Sequence, residues 1–243
     1  MEPSALRLAG MCGRVALFTP PERIARFLDA TLAAGVTPSG QARFNLGPTM
    51  PLLGVEACDG QRVLDTFRWG LVPSWAKDPS AMTKTFNARA ETVAEKPAFR
   101  SSFAKHRILV PIDGFYEWKR EGSAKQPWYF HRSDGQPLVL AGLAASWHDP
   151  NAGTDAPVLR SCTVITTDAE GTDLEPIHHR VPVVLEERDF EAWLAGDDLG
   201  EAEHLLAAPP AGTLLGHEVG RRVGNVRNDG PELIEAVAPE TLF

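Results

Sequence analysis

The stretch PLLGVEACDGQRVLDTFRW, residues 51–69, decides the fold class. Two apolar segments rich in β-branched residues, 51–58 and 61–69, flank the dipeptide Asp59-Gly60. An Asp-Gly pair between such segments is typical of the two-residue turn of a β-hairpin. Further segments share this composition and are bounded by Gly, Pro or Asp, so they are also predicted to be strands: 107–112, 115–120, 128–132, 138–147 and 160–167.

Helical patterns are few and lie towards the two ends of the chain. Thr19-Pro20-Pro21-Glu22 matches a capping box, apolar residues follow at helical spacing, and Gly35 is predicted to end this helix. Residues 186–194 and 201–207 are also predicted to be helical. The pattern predicts a single α+β domain, in which peripheral helices surround a curved mixed or antiparallel sheet or a barrel-like core.

Composition places the chain among ordinary globular proteins, with 243 residues of which 43% are hydrophobic and 23% charged. The longest apolar run, 137–147, is shorter than the about 18 residues that a membrane helix needs. The N-terminus lacks the continuous apolar stretch of a secretory signal. The three cysteines show no disulfide spacing, which indicates a reducing compartment. We therefore expect a cytoplasmic protein with no membrane partner.

The net charge of −8 excludes a protein that coats nucleic acid indiscriminately, because such proteins are usually basic. An acidic protein can still carry a local basic cleft.

Reactive side chains fall in four short segments, 12–14, 86–92, 114–118 and 177–182. In three of them an arginine follows a candidate reactive residue by two positions, and on an extended chain such residues point to one face. Three guanidinium groups around a thiol, an amide and an imidazole suit a substrate that carries phosphates. The pairs are Cys12/Arg14, Asn87/Arg89 and His178/Arg180.

Cys12 has two interpretations. It is either a small buried residue of the first strand, or a reactive group exposed by removal of Met11. As a first residue it would carry an α-amine of pKa about 7.7–8.0 beside its thiol. Such an amine attacks an aldehyde to form a Schiff base, and the thiol then closes a thiazolidine ring.

The other candidates also have structural alternatives. Glu117 is either a strand carboxylate paired with Lys119 or a proton-transfer group whose pKa the surrounding aromatic residues raise. Asn87 is either a turn residue or a polar group of the site.

His178 is either a core histidine or a site residue, and we expect His179 to point to the opposite face of a strand. No Cys or carboxylate stands at zinc-like spacing, so we predict no metal and no cofactor. Trp69 is predicted to lie in the core, whereas Trp75 is predicted to be exposed and either to stack on a base or to wedge against the end of a duplex.

Five ordered motifs resemble the SRAP (SOS response-associated peptidase) family, whose members shield abasic sites in single-stranded DNA. The resemblance covers Cys12 to about residue 235. The motifs are Met-Cys-Gly-Arg (11–14), Asn-Ala-Arg-Ala-Glu-Thr (87–92), Gly-Phe-Tyr-Glu-Trp (114–118), Ile-His-His-Arg-Val-Pro (177–182) and Gly-Asn-Val-Arg-Asn (224–228).

The resemblance implies catalytic roles for four residues. Cys12 would attack the open-chain aldehyde of the abasic sugar, and Asn87 would hold the amine and the sugar. Glu117 would relay protons, and His178 would be the general acid on the sugar ring oxygen. An imine that forms before the thiol closes would also permit weak β-elimination, a lyase side reaction.

The resemblance also implies a binding surface and an assembly state. Arg14, Arg89 and Arg180 would match phosphate-binding positions, and Trp75 the aromatic loop beside the DNA. The partner would be single-stranded DNA with abasic sites, and we expect a monomer acting in the SOS response to DNA damage.

The chain departs from the family pattern at its start, because residues 1–10 precede Met11. We expect this extension to be absent or removed, by a start at Met11 or by self-processing, which leaves a domain of residues 11–243. A thiol hydrolase that uses Cys12 with His178 is the alternative function, and a non-covalent DNA-structure binder is a third.

Overall fold

The computed structural model describes residues 13–37, 39–81, 84–122, 124–153, 155–195 and 198–237. The hairpin predicted at 51–69 is confirmed, with strands Pro51–Cys58 and Gln61–Trp69. Both turn residues have positive φ angles, 50° at Asp59 and 75° at Gly60. Those angles are the ones that a type I′ turn requires, which explains why Asp and Gly stand there.

Strands dominate the described chain. They are β1 (Val15–Leu17), β2 (Thr31–Leu32), β3 (Arg43–Leu46), β4 (Pro51–Cys58), β5 (Gln61–Trp69), β6 (Asn87–Arg89), β7 (Arg107–Ile112), β8 (Gly114–Glu121), β9 (Ala124–Arg132), β10 (Leu138–Trp147), β11 (Leu159–Asp168), β12 (Arg180–Pro182) and β13 (Leu214–Glu218). The helices are α1 (Pro21–Phe27), α2 (Arg100–Lys105), α3 (Phe190–Ala195) and α4 (Leu199–His204), with 3-10 turns at Pro79–Ala81, Ala90–Thr92, Glu187–Asp189, Arg221–Gly224 and Pro231–Leu233.

The larger sheet runs in the order β12-β11-β10-β7-β4-β5-β2 and closes on itself. Closure comes from a parallel pairing of β5 with β11, in which Arg68 faces Ser161 and Trp69 faces Cys162. Further along β11, residues 164–166 pair with β6, also in parallel. A ring of strands therefore surrounds the main core, which confirms the predicted single α+β domain with a barrel-like centre.

The smaller sheet runs in the order β13-β9-β8-β1-β3 and carries the start of the described chain. β1 pairs with β8, with Val15 opposite Phe115 and Ala16 opposite Gly114. A Cβ atom at Gly114 would lie 2.4 Å from the Oη atom of Tyr129, so only glycine allows this close approach.

The helices lie at the periphery, and α1 differs from its prediction. The Thr19 side chain does not cap α1, because its hydroxyl and its backbone N–H both donate to the Asp113 carboxylate, at 2.5 and 2.7 Å. The helix ends at Phe27 rather than near Gly35, because Leu32 pairs with Leu64 of β5. The predictions of helices near 186–194 and 201–207 are confirmed with shorter bounds. None of the helices in the described part of the chain is both long and apolar enough to cross a lipid bilayer.

Candidate functional site

The start of the described chain runs along the strand that carries Glu117. The Arg14 carbonyl accepts a hydrogen bond from the Tyr116 N–H at 2.9 Å. Because β1 and β8 are antiparallel, continuing this register by one residue places Gly13 opposite Glu117. Cys12, the residue before Gly13, lies outside the described residues.

Glu117 and His178 come together although they are distant in sequence. The Glu117 side chain is only 4% exposed, and its Oε1 atom lies 3.9 Å from Nδ1 of His178. Trp128 of β9 stands directly opposite Glu117. The Trp128 indole N–H is buried and has no hydrogen-bond partner among the described residues.

The His178 ring is oriented by the backbone of Arg180. The Arg180 N–H donates to Nδ1 of His178 at 3.2 Å. The Arg180 carbonyl lies 3.3 Å from the same Nδ1 atom, so this nitrogen accepts from the N–H or donates to the carbonyl according to the tautomer of the ring. Burial lowers the pKa of His178 below its ordinary value, and the positive charges of Arg120 and Arg180 and the neighbouring His179 lower this pKa further.

His179 does not point away from His178 as predicted. The two rings are in contact, with centroids 4.4 Å apart and planes tilted by 38°. The prediction of opposite faces was wrong because β12 begins only at Arg180, so the histidines lie in the preceding turn, where strand alternation does not apply. The same turn means that His178 and Arg180 do not form a strand pair.

Asn87 is a strand residue rather than a turn residue, which excludes that alternative. It begins β6, pairs with Val164 of β11 and is buried. Arg89 ends the same strand and is exposed. The predicted pair Asn87/Arg89 is thus on extended backbone, with the amide inside and the guanidinium at the surface.

The three predicted arginines have different surroundings. The Arg180 side chain is 8% exposed and forms a two-point ion pair with Glu91, in which Nη1 to Oε1 is 2.5 Å and Nη2 to Oε2 is 2.9 Å. Arg14 is partly buried, and burial lowers its pKa. Within the described ranges no carboxylate lies within ion-pairing distance of Arg14.

Asn45 of β3 was not found from the sequence, yet it organises the neighbourhood of Arg14. Its Oδ1 accepts from Arg14 Nη1 at 2.9 Å, and its Nδ2 donates to the carbonyls of Val223, Asn225 and Asn228 at 3.2, 3.1 and 2.8 Å. Asn45 is fully buried. It therefore fastens the Gly-Asn-Val-Arg-Asn motif to the N-terminal strand.

The two tryptophans behave as predicted in their exposure. Trp69 is fully buried, and its indole donates to the Phe86 carbonyl at 2.7 Å. Trp75 is 61% exposed, in the loop after β5. The exposure of Trp75 is confirmed, and its contact with a base stays a prediction.

The chemistry available at the site is proton transfer and anion binding. Over the described ranges, no group of three or more His, Cys, Asp or Glu side chains could hold a metal ion. Cys162 is buried, which raises the pKa of its thiol to about 12 and makes that thiol unreactive. A carboxylate and an imidazole in reach of each other, with guanidinium groups nearby, suit acid–base work on an anionic substrate.

Comparison with known proteins identifies the family. The family model of "SOS response associated peptidase (SRAP)" matches residues 11–226. The chain belongs to the SRAP family. All five motifs named in the sequence analysis begin inside the matched residues, which confirms the resemblance drawn from them.

SRAP relatives match along most of the chain. Abasic site processing protein YoqW of Bacillus subtilis (strain 168) is 35% identical over 231 residues, covering 93% of this chain and 100% of the relative. Abasic site processing protein YedK of Escherichia coli (strain K12) is 32% identical over 232 residues, covering 93% of this chain and 100% of the relative. A crystal structure of a Bacteroides thetaiotaomicron protein has a TM-score of 0.81 at 23% identity, covering 93% of this chain and 100% of that one, and it shows the same fold.

Proposed function

We propose that the protein processes abasic sites in single-stranded DNA and forms a covalent cross-link to them through Cys12. The observation that carries this proposal is the buried Glu117 carboxylate 3.9 Å from His178, beside the strand that leads to Cys12. Gly13, which the register places opposite Glu117, directly follows Cys12 in the sequence. The names of the relatives, abasic site processing proteins, support the choice of substrate.

The first step is the opening of the sugar. His178 in its protonated form donates to the ring oxygen, the C1′–O4′ bond breaks, and the hydroxyl proton at C1′ leaves to water, which yields the aldehyde. The position of His178 next to Glu117 supports this role, because a nearby carboxylate stabilises the imidazolium and so opposes the effect of burial on its pKa.

The next steps join the protein to the sugar. The neutral α-amine of Cys12 attacks the aldehyde carbon, forming an N–C bond, and the carbinolamine loses water to give the imine. Glu117 transfers protons to and from these groups. The Cys12 thiol then adds to the imine carbon, an S–C bond forms, and the thiol proton passes to nitrogen, which completes the thiazolidine. Asn87, at the start of β6, is proposed to hold the amine and the sugar.

Binding of the strand is assigned to the arginines and Trp75. The guanidinium of Arg14, half-buried without a carboxylate partner among the described residues, is suited to a phosphate oxygen. Arg89 is exposed beside buried Asn87, and Arg180 lies next to His178. Trp75 offers an exposed ring on which a base stacks.

The amine chemistry requires that residues 1–11 be absent, so we propose a start at Met11 with its removal, or cleavage by the site itself. A β-elimination from the imine is the corresponding lyase side reaction. We further propose a monomer that lies in the cytoplasm, on the evidence of cysteine usage, and associates with the nucleoid when it is bound to damaged DNA. The intact mass of protein purified from cells checks the first residue.

The direct test uses protein that begins at Cys12 and a uracil-containing oligonucleotide treated with uracil glycosylase. We expect a protein–DNA band that survives denaturing electrophoresis. Cys12→Ala abolishes this band, whereas the matched variant Cys58→Ala, at an exposed cysteine of the β4–β5 hairpin, leaves it unchanged. Absence of the band with the unsubstituted protein contradicts the proposal.

A thiol hydrolase is the second candidate, and the contact between Glu117 and His178 also favours it, because a carboxylate can orient a histidine that activates a thiol. The two functions differ at the backbone nitrogen of Cys12. Acetylation of that nitrogen abolishes the cross-link but leaves a thiol hydrolase active.

A further inference from the structure

We propose that Glu91 is a positioning residue, which holds Arg180 in place and, through the backbone of Arg180, orients His178. This inference rests on the proposed function for its catalytic consequence. Glu91 lies in the 87–92 motif, yet neither the sequence patterns nor the chemistry above give it a role.

The contact between Glu91 and Arg180 fixes the guanidinium at both of its terminal nitrogens. Nη1 and Nη2 donate to the two carboxylate oxygens at 2.5 and 2.9 Å, and Nη2 also donates to the Thr166 carbonyl at 2.5 Å. A planar two-point pair of this kind permits little rotation. The Arg180 side chain is only 8% exposed, so the residues around it also restrict its movement.

Arg180 in turn determines the orientation of the His178 ring. Its N–H donates to Nδ1 of His178 at 3.2 Å, and its carbonyl lies 3.3 Å from the same nitrogen. The side chain and the backbone of one residue thus join Glu91 to the imidazole. A displacement of Arg180 would turn the ring away from Glu117.

The third nitrogen of the fixed guanidinium lies on its inner side. Nε of Arg180 is buried and has no hydrogen-bond partner in the part of the chain that the structure describes. Glu91 therefore occupies the terminal edge of Arg180 and fixes the direction of the inner N–H. Loss of Glu91 would both free the guanidinium and misdirect this donor.

The charges that face His178 explain the expected sign of a pH effect. Glu117 lies on β8, Arg120 on the same strand, and His179 and Arg180 on the turn and on β12. Glu91 offsets the positive charge of Arg180. Without Glu91 that charge acts more strongly on the imidazole and moves the pKa of His178 further down.

The pair also joins two parts of the ring of strands. Glu91 follows directly after β6, which carries Asn87 and Arg89, whereas Arg180 begins β12. Both strands flank β11, so the ion pair crosses that strand near Thr166. The side chains proposed to bind and to react are thereby held at a constant separation.

The experiment compares Glu91→Gln with Glu91→Asp and two controls. Glu95→Gln removes an equal charge from an exposed position nearby, and Glu186→Gln breaks a similar two-point pair with Arg132, in which both contacts are 2.9–3.1 Å. Glu91 is 48% exposed at its side chain, so glutamine is accommodated there.

Two readouts separate the inference from the proposed function. In the free protein, nitrogen-15 NMR titration of His178 is expected to show a midpoint at lower pH in Glu91→Gln than in the unsubstituted chain. In Glu91→Asp and both controls we expect the original midpoint. With abasic DNA, the single-turnover cross-linking rate of Glu91→Gln is expected to fall roughly tenfold or more, because the misoriented ring no longer reaches its target.

An unchanged titration of His178 in Glu91→Gln would overturn the inference, whether or not the protein cross-links DNA. If the titration shifts but the unsubstituted protein forms no cross-link, the proposed function fails and the positioning role stands. A fall in rate that is equal in Glu186→Gln would show a general loss of stability, and it would also contradict the inference.

Discussion

The Glu117 carboxylate lies 3.9 Å from Nδ1 of His178, a nitrogen that already accepts the backbone N–H of Arg180. The Arg180 carbonyl lies 3.3 Å from the same nitrogen, and the imidazolium carries a proton on Nδ1 that it can offer to the Glu117 carboxylate. Proton exchange at the site thus depends on the charge of His178, and several predictions depend on this relationship.

Removal of the Glu117 charge tests the proton relay. We expect Glu117→Gln to slow single-turnover cross-linking roughly 100-fold, because general acid–base groups contribute factors of that order. The rate is read from the band that survives denaturing electrophoresis. Glu218→Gln, at an exposed glutamate on β13 of the same sheet, should react at the original rate. Equal rates in the two variants would remove Glu117 from the mechanism.

The pH–rate profile tests His178 as general acid. The reaction needs a protonated His178, whose pKa is lowered by burial, and a neutral α-amine, whose pKa is about 7.7–8.0. Between these pKa values the loss of imidazolium with rising pH offsets the gain of neutral amine, so the rate is flat, and above about pH 8 it falls. In His178→Asn the rate should rise up to about pH 8 and then stay constant.

Identical pH profiles for His178→Asn and the unsubstituted protein would show that the imidazolium takes no part. DNA alone, incubated at each pH, corrects for spontaneous strand cleavage.

Arg89 tests the electrostatic part of DNA binding. A reduced abasic site has no aldehyde, so its binding is reversible. The logarithm of the association constant then falls linearly with the logarithm of salt concentration. Arg89→Ala should reduce this slope by about 0.7, the value for one phosphate contact on a single strand. Arg23→Ala, at an exposed position of α1, is the matched control and should leave the slope unchanged. Equal slopes for all three proteins would exclude a phosphate contact at Arg89.

The substitution Trp75→Ala tests base stacking, and we expect it to have little effect on the stability of the protein. Because its ring is 61% exposed, Trp75→Ala should change the free energy of unfolding by less than about 0.5 kcal/mol. Loss of a stacked base should weaken reversible binding of single-stranded DNA by about 1–3 kcal/mol, measured by fluorescence anisotropy. Leu215→Ala removes another apolar side chain, 53% exposed, and should bind normally. Unimpaired binding by Trp75→Ala would show that no base stacks there.

The substitution Asn45→Ala tests whether Asn45 stabilises the contact between residues 223–228 and Arg14, which precedes β1. Asn45→Ala leaves the carbonyls of Val223, Asn225 and Asn228 without their donor, and Arg14 without one acceptor. Urea denaturation should show a loss of roughly 3 kcal/mol in the free energy of unfolding. Asn151→Ala, in an exposed turn, should cost less than about 0.5 kcal/mol. Equal stabilities would mean that solvent replaces the Asn45 contacts.

Local patterns in the sequence predicted the features that depend on neighbours along the chain. The hairpin at 51–69 follows from its Asp59-Gly60 turn, and β7 and β10 follow from uninterrupted apolar segments. The burial of Trp69 and the exposure of Trp75 follow from the turn between them.

Contacts between distant residues could not be predicted in this way. Thr19 satisfies the capping pattern, but Asp113, 94 residues away, takes its hydroxyl instead. The pair of Glu91 with Arg180 spans 89 positions, and no spacing rule connects them. Glu117 lies on β8 of the smaller sheet, and His178 lies just before β12 of the larger sheet, so their contact depends on how the two sheets pack. The sequence indicated both residues as candidates but could not indicate that they meet.

The parallel pairing of β5 with β11 has a kinetic consequence. It joins Arg68 to Ser161 and therefore closes a loop of about ninety residues, which contains the five strands β6 to β10. Such a distant closure carries a large entropy barrier, because the intervening chain must first be gathered. We therefore expect the hairpin 51–69 to form early and the seam at Arg68 and Ser161 to form late, so that the nascent protein acquires its reactive centre only in the last stage of its maturation.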